Sequence, residues 1–149
     1  RDFALTHAVA AESFETFVPW SRLVQLCERV KRRIGEEHAA ALLPGRPLVS
    51  VRVTQLYREG ACVYVYFAMG IRGMAAPIDS YAKIEKAARQ EVLACGGSLS
   101  HHHGVGQVRA EFLKSPPLTS PALLESLREV KRSIDPGNVF GARNNVMAD

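Results

Sequence analysis

Two β-rich runs, Val49 to Tyr57 and Ala61 to Met69, are separated only by Arg58-Glu59-Gly60, and this spacing constrains the fold more than any other feature. A linker that short forces the runs into an antiparallel hairpin, with Gly60 expected where the loop wants a left-handed residue. Side chains alternate along a strand, so Tyr64 and Tyr66 share one face while Val63, Val65 and Phe67 share the other. Pairing Tyr57 with Ala61 sets Tyr64 opposite Thr54 and Tyr66 opposite Arg52. One side of the hairpin is then aliphatic, and the other carries Arg52, Thr54, Tyr64 and Tyr66.

The rest of the chain supplies one strand and several helices. Leu5 to Phe14 reads as a strand. Trp20, Leu23, Val24, Cys27, Val30 and Ile34 recur with helical spacing and predict a helix from about Trp20 to Ala41, stopped by Pro44-Gly45-Arg46-Pro47. Asp79 or Ser80 is the expected cap of a second long helix, with Tyr81, Ile84, Ala88, Val92 and Cys95 inward, a Glu85 to Arg89 pair, and Gly96-Gly97 at its end. A short helix is expected from Gln107 to Lys114. Ser120-Pro121 opens another with Leu123, Leu124, Leu127, Val130 and Ile134 inward, broken by Asp135-Pro136-Gly137-Asn138. The order β, α, β, β, α predicts an α+β fold: a ferredoxin-like antiparallel sheet with helices on one face, followed by C-terminal helices.

At 149 residues, 47% of them hydrophobic, the chain is long enough to bury a core. No apolar run approaches the roughly 18 residues of a membrane span. The start, Arg1-Asp2-Phe3-Ala4-Leu5, has no initiator methionine or signal-peptide layout, so a piece of a longer protein is expected. The net charge of +4 is concentrated in Arg29, Lys31, Arg32 and Arg33, near the end of a helix where cations suit the macrodipole. A solvated helix face is the better reading, and nucleic acid is not an expected partner. An aromatic run, Val63-Tyr64-Val65-Tyr66-Phe67, lacks the signature of an RNA-binding sheet, leaving a non-catalytic binding module as the weaker alternative. Cys27, Cys62 and Cys95 are widely spaced and odd in number, consistent with reduced core thiols.

Chemistry concentrates between Gly96 and Gly106, where His101, His102 and His103 sit in a glycine-bounded loop. Imidazoles titrate near neutrality and can move protons, hold anions or bind metal. In an extended segment His101 and His103 would share a side. Two ligands do not make a zinc site and no acidic residue or cysteine lies at helpful spacing nearby in the sequence, so no metal is expected. Gly104-Val105-Gly106 can turn backbone N–H groups toward an anion or simply make the bend.

Glu12-Ser13-Phe14-Glu15-Thr16, Pro19-Trp20, Ser98 to Gly106 and Asp135 to Gly141 together resemble the C-terminal end of the alkyldihydroxyacetonephosphate synthases. These belong to the vanillyl-alcohol-oxidase-like, FAD-linked flavoproteins, and the resemblance covers almost the whole chain. It implies a single C-terminal substrate or cap domain, 1–149, whose partner is an FAD-binding domain of the same protein. FAD would be held mainly by that other domain, leaving this chain inactive alone. The implied reaction exchanges the acyl chain of acyl-dihydroxyacetone phosphate for a fatty alcohol in ether-lipid synthesis, with the flavin N5 holding the exchanged carbon. The resemblance makes Tyr64 the proton donor and acceptor, His101, His102 and His103 active-site histidines, and Arg1 a substrate contact. It also makes Asn144 and Asn145 part of a tail required for activity, close to the cofactor. Arg52, on the Tyr64 face, is a substrate-binding candidate, and either it or a protonated histidine is the expected cation that lowers the phenol pKa. FAD-dependent 2-hydroxy-acid dehydrogenases are the alternative, but they carry Gly-Glu-His-Gly-x-Gly where this chain has His102 and His103. Met69-Gly70-Ile71-Arg72-Gly73 departs from the animal synthases and leaves chain-length preference open. A peripheral membrane contact, a homodimer, and a cytoplasmic or peroxisomal location are compatible with this reading.

Overall fold

The computed structural model describes residues 2–114, 118–141 and 144. By internal contacts the chain forms two compact units, Arg1–His102 and His103–Asp149. The first contains α1 (Asp2–Thr6), β1 (Val9–Pro19), a single 3-10 turn (Trp20–Arg22), α2 (Leu23–Ala40), β2 (Leu48–Leu56), β3 (Gly60–Gly70) and α3 (Pro77–Ala94). Its three strands form an antiparallel sheet in the order β1-β3-β2. This is the strand arrangement of a split βαβ unit, and the α+β class read from the sequence is the class observed.

One face of the sheet carries the core. Phe14 and Val18 from β1 and Val63, Val65, Phe67 and Met69 from β3 pack against Leu26, Val30 and Ile34 of α2 and Ile84, Ala88, Val92 and Cys95 of α3. Each fully buried aliphatic side chain contributes about 1.5–3 kcal/mol relative to exposure. The inward stripe of α2 is Leu26, Val30, Ile34 and His38, one step round from the expected stripe, so Trp20 and Val24 are exposed. The basic run is a solvated face: Arg29 pairs with Glu91, Arg32 with Glu36 and Arg33 with Glu37.

Several expected boundaries move. The first strand is not Leu5 to Phe14, because Leu5 belongs to α1. Ala8, at φ 56°, turns the chain between the two elements, and the strand continues to Pro19 because β3 is long enough to pair with all of it. The third helix starts at Pro77, whose missing N–H costs nothing at the first helical position, rather than at a cap on Asp79 or Ser80. Gly60 is needed for a different reason than expected. Its φ is not positive; instead a Cβ there would lie 2.1 Å from the Val18 carbonyl oxygen and 2.8 Å from the Phe17 ring, so the residue permits close approach of β1.

The hairpin register also differs from simple pairing. A β-bulge between Val53 and Gln55 inserts Thr54, whose hydroxyl donates to the Cys62 carbonyl at 3.3 Å. Arg52, rather than Thr54, therefore faces Tyr64, and Ser50 faces Tyr66. Beyond the bulge, side-chain parity reverses and Gln55 and Tyr57 join the face that carries Tyr64.

The second unit holds α4 (Ala110–Leu113) and α5 (Pro121–Ile134). Ser120 caps α5 by accepting the Leu123 N–H at 3.2 Å. Of the expected inner face only Leu124 is buried, while Leu123, Leu127, Val130 and Ile134 are exposed. The α4 segment is shorter than the Gln107 to Lys114 helix expected, because residues 106–109 form turns. At the end of α5, Asp135 accepts the Val139 and Phe140 N–H groups at 3.0 and 2.9 Å and an ion pair from Lys131. The Lys131 ammonium first, then those two backbone donors, hold the Asp135 carboxyl at about 2. A carboxyl depressed on folding stabilises the turn fully above the ordinary carboxylate range and loses that contribution as pH falls toward about 2. The turn monitored by proton exchange of the Val139 and Phe140 amides is expected to loosen through that window, and Asp135→Asn is expected to abolish the dependence.

Candidate active site on the open sheet face

The sheet face away from the helices is where the histidine loop lands. The chain leaves α3 through a glycine-dependent cap: Gly96, at φ 77°, donates to the Leu93 carbonyl and Gly97 to the Val92 carbonyl, both at 2.9 Å. Ser98 then pairs with edge strand β1, donating its N–H to the Phe17 carbonyl and accepting the Phe17 N–H on its hydroxyl, each at 2.9 Å. Thr16 donates its hydroxyl to the Ser98 carbonyl at 2.8 Å. From the core side Arg89, paired with Glu85 and stacked 4.8 Å above the Phe14 ring, donates to the Leu99 carbonyl at 3.4 Å.

Glu15 anchors the histidines themselves. Although it lies on the open face of β1, its side chain is fully buried, because the loop folds over it. Its Oε1 accepts the Ser100 hydroxyl at 2.8 Å and the His102 N–H at 3.5 Å, and its Oε2 accepts the His101 N–H at 2.6 Å. A buried carboxylate is tolerable only with such donors. The demand is mutual: the loop satisfies the acid, and the acid fixes the loop.

So fixed, two imidazoles meet two phenols. Tyr64 Oη and His102 Nε2 lie 2.7 Å apart. Tyr57 Oη lies 2.8 Å from His101 Nε2 and donates to Gln55 Oε1 at 3.0 Å, while the same His101 nitrogen is 3.1 Å from Gln55 Oε1. With the Tyr57 proton on Gln55, His101 Nε2 serves as a donor to both oxygens. Rings hold the group together: Tyr64 stacks with Tyr66 at 5.9 Å, and the His101 and His102 rings meet edge-on at 5.3 Å. Cys62 lies on the same face, and its ligand atom and one from each of His101 and His102 fall within 4.8 Å of one another.

The electrostatics run against one expectation. Tyr64 sits between Glu15 on β1 and Arg52 on β2, yet its phenol pKa is raised, first by burial and then by Cys62, Glu15 and Tyr66. The phenol rests protonated and ready to donate. Burial, reinforced by Glu15, likewise pushes the Cys62 thiol up. Beside Tyr66, the stacking neighbour of Tyr64, a largely apolar cleft of about 370 Å³ runs along Ala11, Glu12, Ser13, Leu48, Ser50 and Ala68.

The structure thus brings together Tyr64, His101, His102 and, by register, the exposed Arg52. His103 is exposed and begins the second unit, so the His101 and His103 pairing expected from alternation is replaced by His101 with His102. Asn144 is in the second unit, where its N–H donates to Gly141 at 3.1 Å. Arg1 and Asn145 lie outside the described residues. Sequence reading missed Glu15, Gln55 and Tyr57 as site residues. For Glu15 the signal was present: an acid within Phe14-Glu15-Thr16-Phe17-Val18, an apolar strand segment where a charge needs partners.

Residues 1–144 match the family described as FAD linked oxidases, C-terminal domain, and the chain belongs to that family. Among curated proteins it is 43% identical over 145 residues to the alkyldihydroxyacetonephosphate synthase of Caenorhabditis elegans, covering 97% of this chain and 24% of that protein. The Trypanosoma brucei brucei synthase is 27% identical over 93% of this chain and 22% of its own length. A solved alkyldihydroxyacetonephosphate synthase structure shares the fold with a TM-score of 0.65 at 20% identity, over 95% of this chain and 22% of that one. The chain therefore spans about a quarter of the length of these relatives.

Proposed function

We propose that this chain forms the substrate-side wall of an FAD-dependent alkyldihydroxyacetonephosphate synthase, which exchanges an acyl chain for a fatty alcohol. The observation that carries the reading is the 2.7 Å Tyr64 to His102 contact, held by Glu15 on the sheet face where Tyr66, stacked on Tyr64, lines an apolar cleft. Small residues, Ala11, Ser13, Ser50 and Ala68, floor that cleft, so a planar ring or an alkyl chain can lie flat on the sheet. The flavin supplies, when bound, an electron sink for an exchange with no net redox change. An FAD-binding domain of the same protein is the partner that would hold it.

The chain's own residues manage protons and charge. Tyr64 Oη, kept protonated by its surroundings, donates to the departing carboxylate oxygen. The phenolate so formed is a strong base and takes the proton of the incoming alcohol as its oxygen attacks, which returns Tyr64 to its resting state. His102 Nε2 orients the hydroxyl and shares its proton during the exchange. His101, locked by Gln55 and Tyr57, fixes the loop and excludes water from the pair. Arg52, paired with Tyr64 from the neighbouring strand β2, offers a guanidinium to the substrate phosphate. Roles for Arg1, His103, Asn144 and Asn145 rest on the family resemblance alone.

Full-length protein carrying this chain, given acyl-dihydroxyacetone phosphate and labelled fatty alcohol, is expected to release one fatty acid for each labelled ether formed. Fatty acid release without label in the product would show hydrolysis instead, and would overturn the reading.

A further inference from the structure

We propose that Cys62, His101 and His102 form a binding site for a zinc-like thiophilic cation, and that its occupation shuts off the Tyr64 to His102 couple. The proposal rests on the exchange reaction above for its effect on turnover, but not for the metal site itself. The three ligand atoms lie within 4.8 Å of one another. A tetrahedral zinc with bonds of about 2.0–2.3 Å spaces its ligands about 3.5 Å apart, so small side-chain rotations close the gap. The supports are rigid. Cys62 is on the central strand β3, paired on both sides with Phe17 and Gln55, and the His101 and His102 backbones are pinned by Glu15.

The donor set selects the ion. One sulfur and two imidazoles suit zinc, cobalt or copper and reject magnesium and calcium, which want oxygen. The buried Glu15 carboxylate beneath the loop adds negative charge that favours a dication. Three protein ligands leave a fourth position open to water.

Occupation silences His102 whichever nitrogen binds. With the metal on Nε2, the lone pair that meets Tyr64 Oη is used. With the metal on Nδ1, the neutral ring carries its proton on Nε2 and can only donate to Tyr64. The metal-free protein is then the active form, and the cation is an inhibitor.

The test titrates cobalt into metal-free full-length protein. Thiolate-to-cobalt charge-transfer absorption is expected to saturate at one ion per chain, to vanish on adding zinc, and to be absent in Cys62→Ser and Cys62→Ala. Zinc is expected to lower exchange turnover on the order of a hundredfold, reversibly with chelator, in the wild type. Both Cys62 variants should resist zinc, each turning over at the same rate with zinc as with chelator. Absence of the thiolate band, or equal zinc inhibition in the variants, overturns the site. A Cys62-dependent band with undiminished turnover overturns the switch. Zinc-free protein that performs no exchange overturns the reading of the reaction, while the cobalt band still decides the metal site.

Discussion

Replacing Tyr64 by phenylalanine is expected to slow alkyl exchange by on the order of a hundred- to ten-thousand-fold, the usual cost of removing a positioned proton-transfer group. Folding should hardly change. The hydroxyl sits at the surface end of a ring packed against Tyr66, and loss of such a hydrogen bond costs about 1 kcal/mol. Tyr66→Phe is the control, because Tyr66 shares the face and the stacking but lies two residues further along β3, opposite Ser13 and Ser50. It should reduce turnover far less. Single-turnover rates at saturating labelled alcohol separate the two variants, and wild-type chemistry in Tyr64→Phe would remove Tyr64 from the mechanism.

Glu15→Gln should be the most damaging change that touches no substrate. Both carboxylate oxygens accept backbone donors from the loop, so an amide must set its NH2 against either the His101 N–H or the His102 N–H, while the Ser100 hydroxyl can turn to accept. An unsatisfied buried donor costs about 1–3 kcal/mol, and the loop gives up its register on the sheet. Misplacement of a reacting group by about 1 Å can cost a hundredfold in rate, so kcat is expected to fall by about that factor with the core intact. Hydrogen exchange at the His101 and His102 amides should accelerate while that of Val63 and Val65 does not. Unchanged protection at the two histidines together with unchanged kcat would show that Glu15 does not position them.

The parts of this architecture written in local periodicity could be read directly. The inward set of α3 and its closing glycines follow from spacing and from the φ demands of a helix end. The hairpin follows from a short linker between β-branched runs. What could not be read depends on pairing across long sequence separations. The start of β1 is set by how far β3 extends to meet it, and the stripe of α2 by which side of the helix finds the sheet. The exposure of Leu127 and Val130 shows that an apolar stripe specifies a helix face without specifying what covers it. Tyr64 and the histidines were visible because their residue types are chemically unusual in a loop and a strand. Glu15 was hidden because its partners lie more than eighty residues away, and Tyr57 because its orientation depends on a bulge.

That bulge makes strand register part of the chemistry. Thr54 donates its hydroxyl to the Cys62 carbonyl, and because the bulge takes it up as one extra residue, Gln55 and Tyr57 point at His101 rather than toward the helices. The same residues in a β2 that paired regularly through Thr54, without the bulge, would present Tyr64 with His102 but turn Gln55 and Tyr57 toward the helices and leave His101 without its clamp. Whether this strand takes up its extra residue as a bulge or pairs it regularly would therefore sort members of the family into sites with two phenol–imidazole couples and sites with one, a distinction invisible to any comparison that scores residue identity alone.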